Sequence, residues 1–334
     1  MKEKLLFFSI KHPLLYILSL AIILRILAVI FTDGSITSSV DFNYYHIPEN
    51  WMANPWVVYI SRLALGAFSL LIITLSYRIT KIIADKTTAL EIATFGAFLW
   101  CMPYASVHPI SSFVALPFML YGTLLILKQH IILDKNETEK FHRTTFIIAG
   151  FCLGLGFAVY YQSLIYYIGI VLTLLLLKNW KGALMTLIGY IIAVGLSQTI
   201  VDLVIYHRPF VAMTRFVCEP MFDSFFPIWT VCFLLLVMVP PMSLLILFGF
   251  FRVCRKYMLL VMPAFIILIC SLFTYDFEML FMALPTYIIA GYVGWKEFYK
   301  NSLFWTKNKW LVLTCYIIFA LLNTAMILFS FVYL

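Results

Sequence analysis

The sequence predicts an all-α, polytopic integral membrane protein with about eleven transmembrane helices, forming one domain over residues 1–334. Three observations predict it. The 334-residue chain is 64% hydrophobic and only 11% charged, which is not the balance of a soluble globular domain. Apolar runs of bilayer-crossing length recur from end to end. Short basic stretches alternate with stretches nearly free of Lys and Arg, as cytoplasmic and outer loops do.

The first span, 13–32, follows the basic segment Met1–His12. Its start resembles a signal peptide, but Leu14–Phe31 is long for the apolar region of one, and no small-residue cleavage site follows. The segment is therefore read as a retained first helix. The second span, 57–82, runs into the basic Arg78–Lys86, and the third, 87–107, leads away from it. The fourth, 110–131, ends at Lys128–Arg143. The apolar run Thr144–Leu177 is too long for one helix. It divides into 144–160 and 161–178, turning near Tyr160, Tyr161 and Gln162. Span 181–205 leaves the basic Lys178–Lys181. The last four spans are 228–251, 256–274, 277–298 and 309–332, with Arg252–Lys256 and Lys296–Lys309 marking the same basic side. The sequence shows no separate soluble domain, internal repeat or low-complexity tract.

This alternation predicts a cytoplasmic N-terminus and an outer C-terminus. The net charge of +8 then reflects loop placement, and no nucleic-acid partner is implied. The outer face receives Asp33, Asp41, Glu49, Asp202, Glu219, Asp223, Asp276 and Glu278, with His46, His108 and His207. Two outer loops are long, 32–56 and 206–227. Arg62, Arg208 and Arg215 are the Lys or Arg residues of that face, and Arg25 lies within the first span. Charges inside a span are costly unless they face the bundle interior or snorkel. For Arg25 the plain reading is a structural pair with an outer-leaflet carboxylate.

The 32–56 loop carries Asp41 just before Tyr44, Tyr45 and His46. A carboxylate near the membrane surface can deprotonate an acceptor hydroxyl as a general base. Aromatic rings can stack on sugars, but Tyr44, Tyr45, Trp51 and Trp56 equally suit an interfacial belt around a solvated Asp41. Residue chemistry leaves both readings open. His46, His108 and His207 lie in separate loops without metal-ligand spacing, so no zinc site is expected. A divalent cation on Asp41, Asp276 and Glu278 stays open, since oxygen ligands suit Mg or Mn. The seven cysteines form no C-x-x-C pair and read as small apolar packing residues.

A series of landmarks then resembles one family. The first helix ends Arg25-Ile-Leu-Ala, and the outer loop carries Val40-Asp41-Phe42. Ser61-Arg62-Leu63 opens the second helix. His108-Pro109-Ile110-Ser111-Ser112 precedes Ala115-Leu116-Pro117. Tyr160-Tyr161-Gln162, Asp202 with Tyr206 and the later Phe216, and Thr274-Tyr275-Asp276-Phe277-Glu278-Met279 before Pro285 complete the order. This resembles the GT-C superfamily of polytopic glycosyltransferases, most of all the family-22 mannosyltransferases that include dolichol-linked and GPI-anchor enzymes. In that pattern Asp41 stands where the family has the Asp of Pro-Asp-Glu. His108 stands for an Arg, Ser112 for a Glu and Tyr160 for an Arg. Thr274, Tyr275 and Glu278 stand for the cations of His-Lys-Glu-x-Arg.

The resemblance implies a GT-C-like fold and inverting transfer of a hexose, mannose above all. The donor would be a polyprenyl-phosphate sugar, and the acceptor a glycan or lipid at the non-cytoplasmic face. Asp41 is the implied catalytic base. The candidate substrate-binding residues are Tyr44, Tyr45, His46, His108, Gln162, Asp202, Tyr206, Arg208, Arg215 and Asp276, with no metal ligand assigned. Arg208 and Arg215 are the remaining clamps for a lipid phosphate, which planar guanidinium groups suit. The short basic loops fit a bacterial inner membrane with a periplasmic active face. Two alternatives stand beside this reading: a transporter or flippase of a lipid-linked saccharide, and an inactive assembly subunit.

Overall fold

The computed structural model describes residues 11–32, 55–135, 142–211, 241–273 and 277–333. Among the described residues the regular structure is helical throughout. Backbone groups in lipid must be satisfied within their own segment, and an apolar run meets that demand as a helix. In chain order the helices are α1 (Pro13–Phe31), α2 (Pro55–Ile83), α3 (Lys86–Phe98), α4 (Cys101–Val107) and α5 (Ser111–Lys135). There follow α6 (Arg143–Val159), α7 (Ser163–Leu176), α8 (Trp180–Tyr206), α9 (Met242–Arg252) and α10 (Met258–Cys270). The last three are α11 (Phe277–Asn301), the short α12 (Leu303–Lys307) and α13 (Lys309–Tyr333).

Among the described residues, five helices are long and apolar enough to cross a membrane: α1, α2, α5, α8 and α13. Counting the bent pair α3–α4 as one span makes six. The chain is a polytopic membrane protein on that basis. The run 144–177 does divide: α6 stops at Val159, Tyr160 is extended, and α7 starts at Ser163.

The span expected at 87–107 is not one straight helix. It breaks at Leu99–Trp100, and the two pieces meet at 60°. Pro103 has no N–H to donate to the carbonyl four residues back, at Leu99. Leu99 O accepts from Met102 N at 2.8 Å instead, and two other backbone groups of the break meet Asn323 on α13. Its Oδ1 accepts from Trp100 N at 2.9 Å, and its Nδ2 donates to Phe98 O at 2.7 Å. Insertion of a polar side chain into the ladder is a recognised cause of kinks.

α5 is the central helix, packed against α2, α6 and α11. α8 lies along α6, and α9 along α11. Both pairs approach through glycine. A Cβ on Gly189 would sit 2.0 Å from Ile147 O, and one on Gly249 the same distance from Gly291 O. Small residues permit such contact between helices in a bilayer.

One end of the bundle is basic and holds three ion pairs among the described residues. Lys256 pairs with Glu297 at 2.6 Å, Lys300 with Asp85 at 3.5 Å, and Lys296 with Glu91. Asp85 also caps α3, accepting from Thr88 N at 3.3 Å and Thr87 Oγ1 at 2.8 Å. Hydrogen bonds from Thr88 and Thr87, then the charge of Lys300, hold its carboxyl well below the usual carboxylate range.

Candidate functional site

The opposite end gathers buried polar groups. Arg62 stands in the second turn of α2 and is 2% exposed. α1 ends beside it, and the last turn of a helix leaves carbonyls without intrahelical donors. Arg62 supplies those donors. Its Nη1 donates to Val29 O at 3.3 Å and Thr32 O at 3.2 Å, and its Nη2 to Ala28 O at 3.4 Å and to Thr32 Oγ1. Its Nε donates to Val107 O, the last residue of α4, at 3.3 Å. One guanidinium thus joins the ends of two helices. A planar fork with five donors can do this, and an ammonium cannot.

Arg25 is also buried, at 4% exposure, but its partners are different. Its Nε donates to Ser69 Oγ at 2.7 Å and its Nη1 to Ala21 O at 3.2 Å. Its stem lies against Gly66 of α2. Among the described residues, no carboxylate pairs with it, contrary to the expected structural ion pair. Arg25 braces α1 on α2 at mid-helix, while Arg62 works at the non-basic rim.

Beyond Val107 the chain turns into His108. Its ring stacks on Tyr104 with centroids 4.1 Å apart, and its Nδ1 lies 2.8 Å from Tyr104 O. A crevice of about 10 Å³ between Ser69, Ser106, His108 and Phe113 is of the size of one water. Ser112 stands in the first turn of α5, and its N–H donates to Glu278 Oε2 of α11 at 3.3 Å. The contact is made by the backbone at 112, and the Ser112 hydroxyl is buried without a partner.

The remaining expected residues are elsewhere. Asp202 is 1% exposed on α8, and Gln198, one turn earlier, is 3% exposed with its Oε1 unsatisfied. Gln162 stands half-buried at the turn into α7. Tyr206 is the last residue of α8, followed by the exposed His207 and Arg208. Helix packing runs in the order α2, α5, α6, α8, which sets α5 and α6 between the Arg62 group and the Asp202 face. Asp41, Tyr44, Tyr45, His46, Arg215 and Asp276 lie outside the described residues, as does most of both long loops. Among the described residues, no group of three or more His, Cys, Asp or Glu could hold a metal ion.

Sequence reasoning missed three contacts: Arg62 with the carbonyls of α1 and α4, Asn323 with the break, and Ser112 with Glu278. Backbone carbonyls leave no mark in a sequence. Pro103 was a readable signal for the break.

Helical throughout its described residues, basic at one end and buried-polar at the other, the molecule is a polytopic membrane protein with a candidate site on its non-basic rim. It belongs to the Alg9-like mannosyltransferase family, whose match covers residues 8–218 and so includes Arg62, His108 and Asp202. No individual curated protein matches the chain.

Proposed function

We propose that the protein is a mannosyltransferase of GT-C-like fold that uses a polyprenyl-phosphate-linked mannose. The acceptor is a glycan or lipid at the non-cytoplasmic face, the periplasmic side of a bacterial inner membrane. The chain crosses the bilayer eleven times with its N-terminus in the cytoplasm. The basic end held by Asp85, Glu91 and Glu297 supports that orientation, since Lys and Arg mark the cytoplasmic side. The observation that carries the function is the family match over residues 8–218, with Arg62, His108 and Asp202 at non-basic helix ends within it.

In this reading Asp41 takes the proton of the acceptor hydroxyl. The acceptor oxygen attacks the anomeric carbon as the bond from that carbon to the phosphate oxygen breaks, and the polyprenyl phosphate leaves. The configuration inverts. Arg208 and Arg215 neutralise the charge that grows on the leaving phosphate. Tyr44, Tyr45, His46, His108, Gln162, Asp202, Tyr206 and Asp276 form the walls that hold sugar and acceptor. Both substrates are partly in lipid, so the membrane confines them to one plane and aligns them.

The test is transfer from a polyprenyl-phosphate mannose by purified protein. Asp41→Asn keeps size and polarity and removes the base. Transfer should fall by about 10²–10⁴-fold, while Asp33→Asn changes little. Undiminished transfer by Asp41→Asn would remove the assignment of the base. Impermeant labelling of Ser38→Cys in intact cells, with the native cysteines replaced, tests the face. Labelling only after lysis would reverse the topology.

A further inference from the structure

We propose that the cavity between α3, α11 and α13 binds one lipid of the basic-side leaflet, a zwitterionic phospholipid whose headgroup carries a primary ammonium. The cavity starts at the basic end of the bundle, away from the Arg62 group. It would bind its lipid whether or not the proposed transfer occurs.

The cavity holds about 490 Å³, inside the range of about 300–1,000 Å³ usual for ligand pockets. Its walls are Phe95, Phe98 and Leu99 of α3 and Phe319 of α13. Thr94 and Ala320 also line it and are exposed, so it opens sideways between α3 and α13. Both stand within candidate membrane spans, and the opening therefore faces lipid. On α3 the lining runs from Glu91 to Leu99, about 12 Å of helix. On α13 it runs from Tyr316 to Asn323, about 10 Å. The cavity is thus a slot along the helices, suited to a chain lying parallel to them. α13 has need of such a filler, since 6% of its apolar stretch is buried within the molecule, the least of the five spans.

The two ends of the slot differ. At the deep end the Asn323 amide is engaged with Trp100 N and Phe98 O. At the basic end Glu91, Tyr292 and Tyr316 form a chain. The Tyr292 hydroxyl donates to Glu91 Oε2 at 3.0 Å and lies 2.6 Å from the Tyr316 hydroxyl. With its proton on Glu91, Tyr292 accepts from Tyr316, which leaves the Tyr316 oxygen as an acceptor. Lys296 also pairs with Glu91 Oε2. Both bonds fall on that one oxygen, so Glu91 Oε1 is a second acceptor. An ammonium carries three donors, and the pair with Glu91 uses one of those on Lys296.

This set reads a headgroup of both signs. A primary ammonium gives N–H donors to Glu91 Oε1 and the Tyr316 oxygen, and the phosphate beside it accepts from Lys296. Such charge-assisted bonds are the strong ones. A phosphocholine carries both charges but has no N–H to give. A headgroup that is only anionic leaves Glu91 unmatched and meets its charge at close range. The depth agrees. Glu91 stands in the second turn of α3, just inside the rim where Lys300 pairs with Asp85. A headgroup held there sends its chain down the slot toward Asn323.

The test uses the full chain in a mild detergent and follows lipid binding by native mass spectrometry. The probes are phosphatidylethanolamine, phosphatidylglycerol and phosphatidylcholine with identical chains. One phosphatidylethanolamine should stay bound, about tenfold more tightly than either other lipid, the worth of one hydrogen bond to a charged group. Glu91→Gln keeps the size and the bond from Tyr292 but removes the charge. It should bring phosphatidylethanolamine down to the level of the others. Ala320→Trp fills the mouth of the slot and should abolish the retained lipid. A diazirine on the acyl chain of the ethanolamine lipid should insert into peptides holding Phe95–Leu99 and Phe319–Asn323. Equal retention of the three lipids by wild type, or a preference for either of the others, overturns the proposal. Insertion confined to other exposed faces, such as that of α8, overturns it as well. Should Ala320→Trp fail to fold, Glu91→Gln and the insertion pattern decide alone, since neither crowds the cavity.

Discussion

Asn323→Leu should loosen the bundle at the break between α3 and α4. Asn323 is 6% exposed and serves two backbone groups, Trp100 N at 2.9 Å and Phe98 O at 2.7 Å. Leucine fills a similar volume and serves neither. A buried backbone group left without a partner costs about 1–3 kcal/mol, so the pair costs about 2–6 kcal/mol. The added apolar burial of leucine returns about 1 kcal/mol. Polar contacts between helices in bilayers measure at the low end of such scales, about 0.6–1.7 kcal/mol each. The expected net loss is therefore about 1–4 kcal/mol, read as a lower unfolding midpoint in detergent or nanodiscs. The Pro103→Ala background sharpens the test. With an N–H restored at 103, α3 and α4 gain a bond that favours a continuous helix, and Asn323→Leu should cost less there than in wild type. Contacting residues show such non-additivity, and independent ones do not. An Asn323→Leu protein as stable as wild type would refute the claim that this side chain satisfies the break. Equal losses in both backgrounds would refute the link to Pro103.

Two further outcomes follow from other contacts. Ser112→Glu alone sets a second carboxylate against Glu278 at the roots of α5 and α11, and should lower stability and transfer. Ser112→Glu with Glu278→Arg restores opposite charges and should recover both, and a double variant worse than the single would deny that the positions are partners. At the basic end, hydrogen bonds from Thr88 and Thr87 hold the Asp85 carboxyl well below the usual carboxylate range. A lowered folded-state pKa adds stability that is complete above the unfolded pKa and fades as pH falls below it. Asp85 is half-exposed, so the effect is small. Asp85→Asn should flatten the decline of the unfolding midpoint below about pH 4, and an unchanged slope there would show that other groups set it.

The sequence by itself determined where the described helices lie. An apolar run in lipid has one economical backbone solution, and its length is readable residue by residue. The turn at Tyr160–Gln162 was legible for the same reason, since 144–177 is too long to cross once. The basic end was legible because Lys and Arg cluster in short loops. The family was legible as an ordered series of landmarks, each weak alone, and the match over residues 8–218 agrees with it. Tertiary structure alone decided what the buried polar side chains do. Arg25 and Arg62 look alike in sequence, each a cation beside or within an apolar run. One braces two helices at mid-length through Ser69, and the other ties Thr32 to Val107. The bend at Leu99–Trp100 depends on Asn323, more than 220 residues away. Such pairings join side chains to backbone carbonyls and amides, which every residue possesses. No residue type records which carbonyl lies within 3 Å of which side chain until the helices are packed.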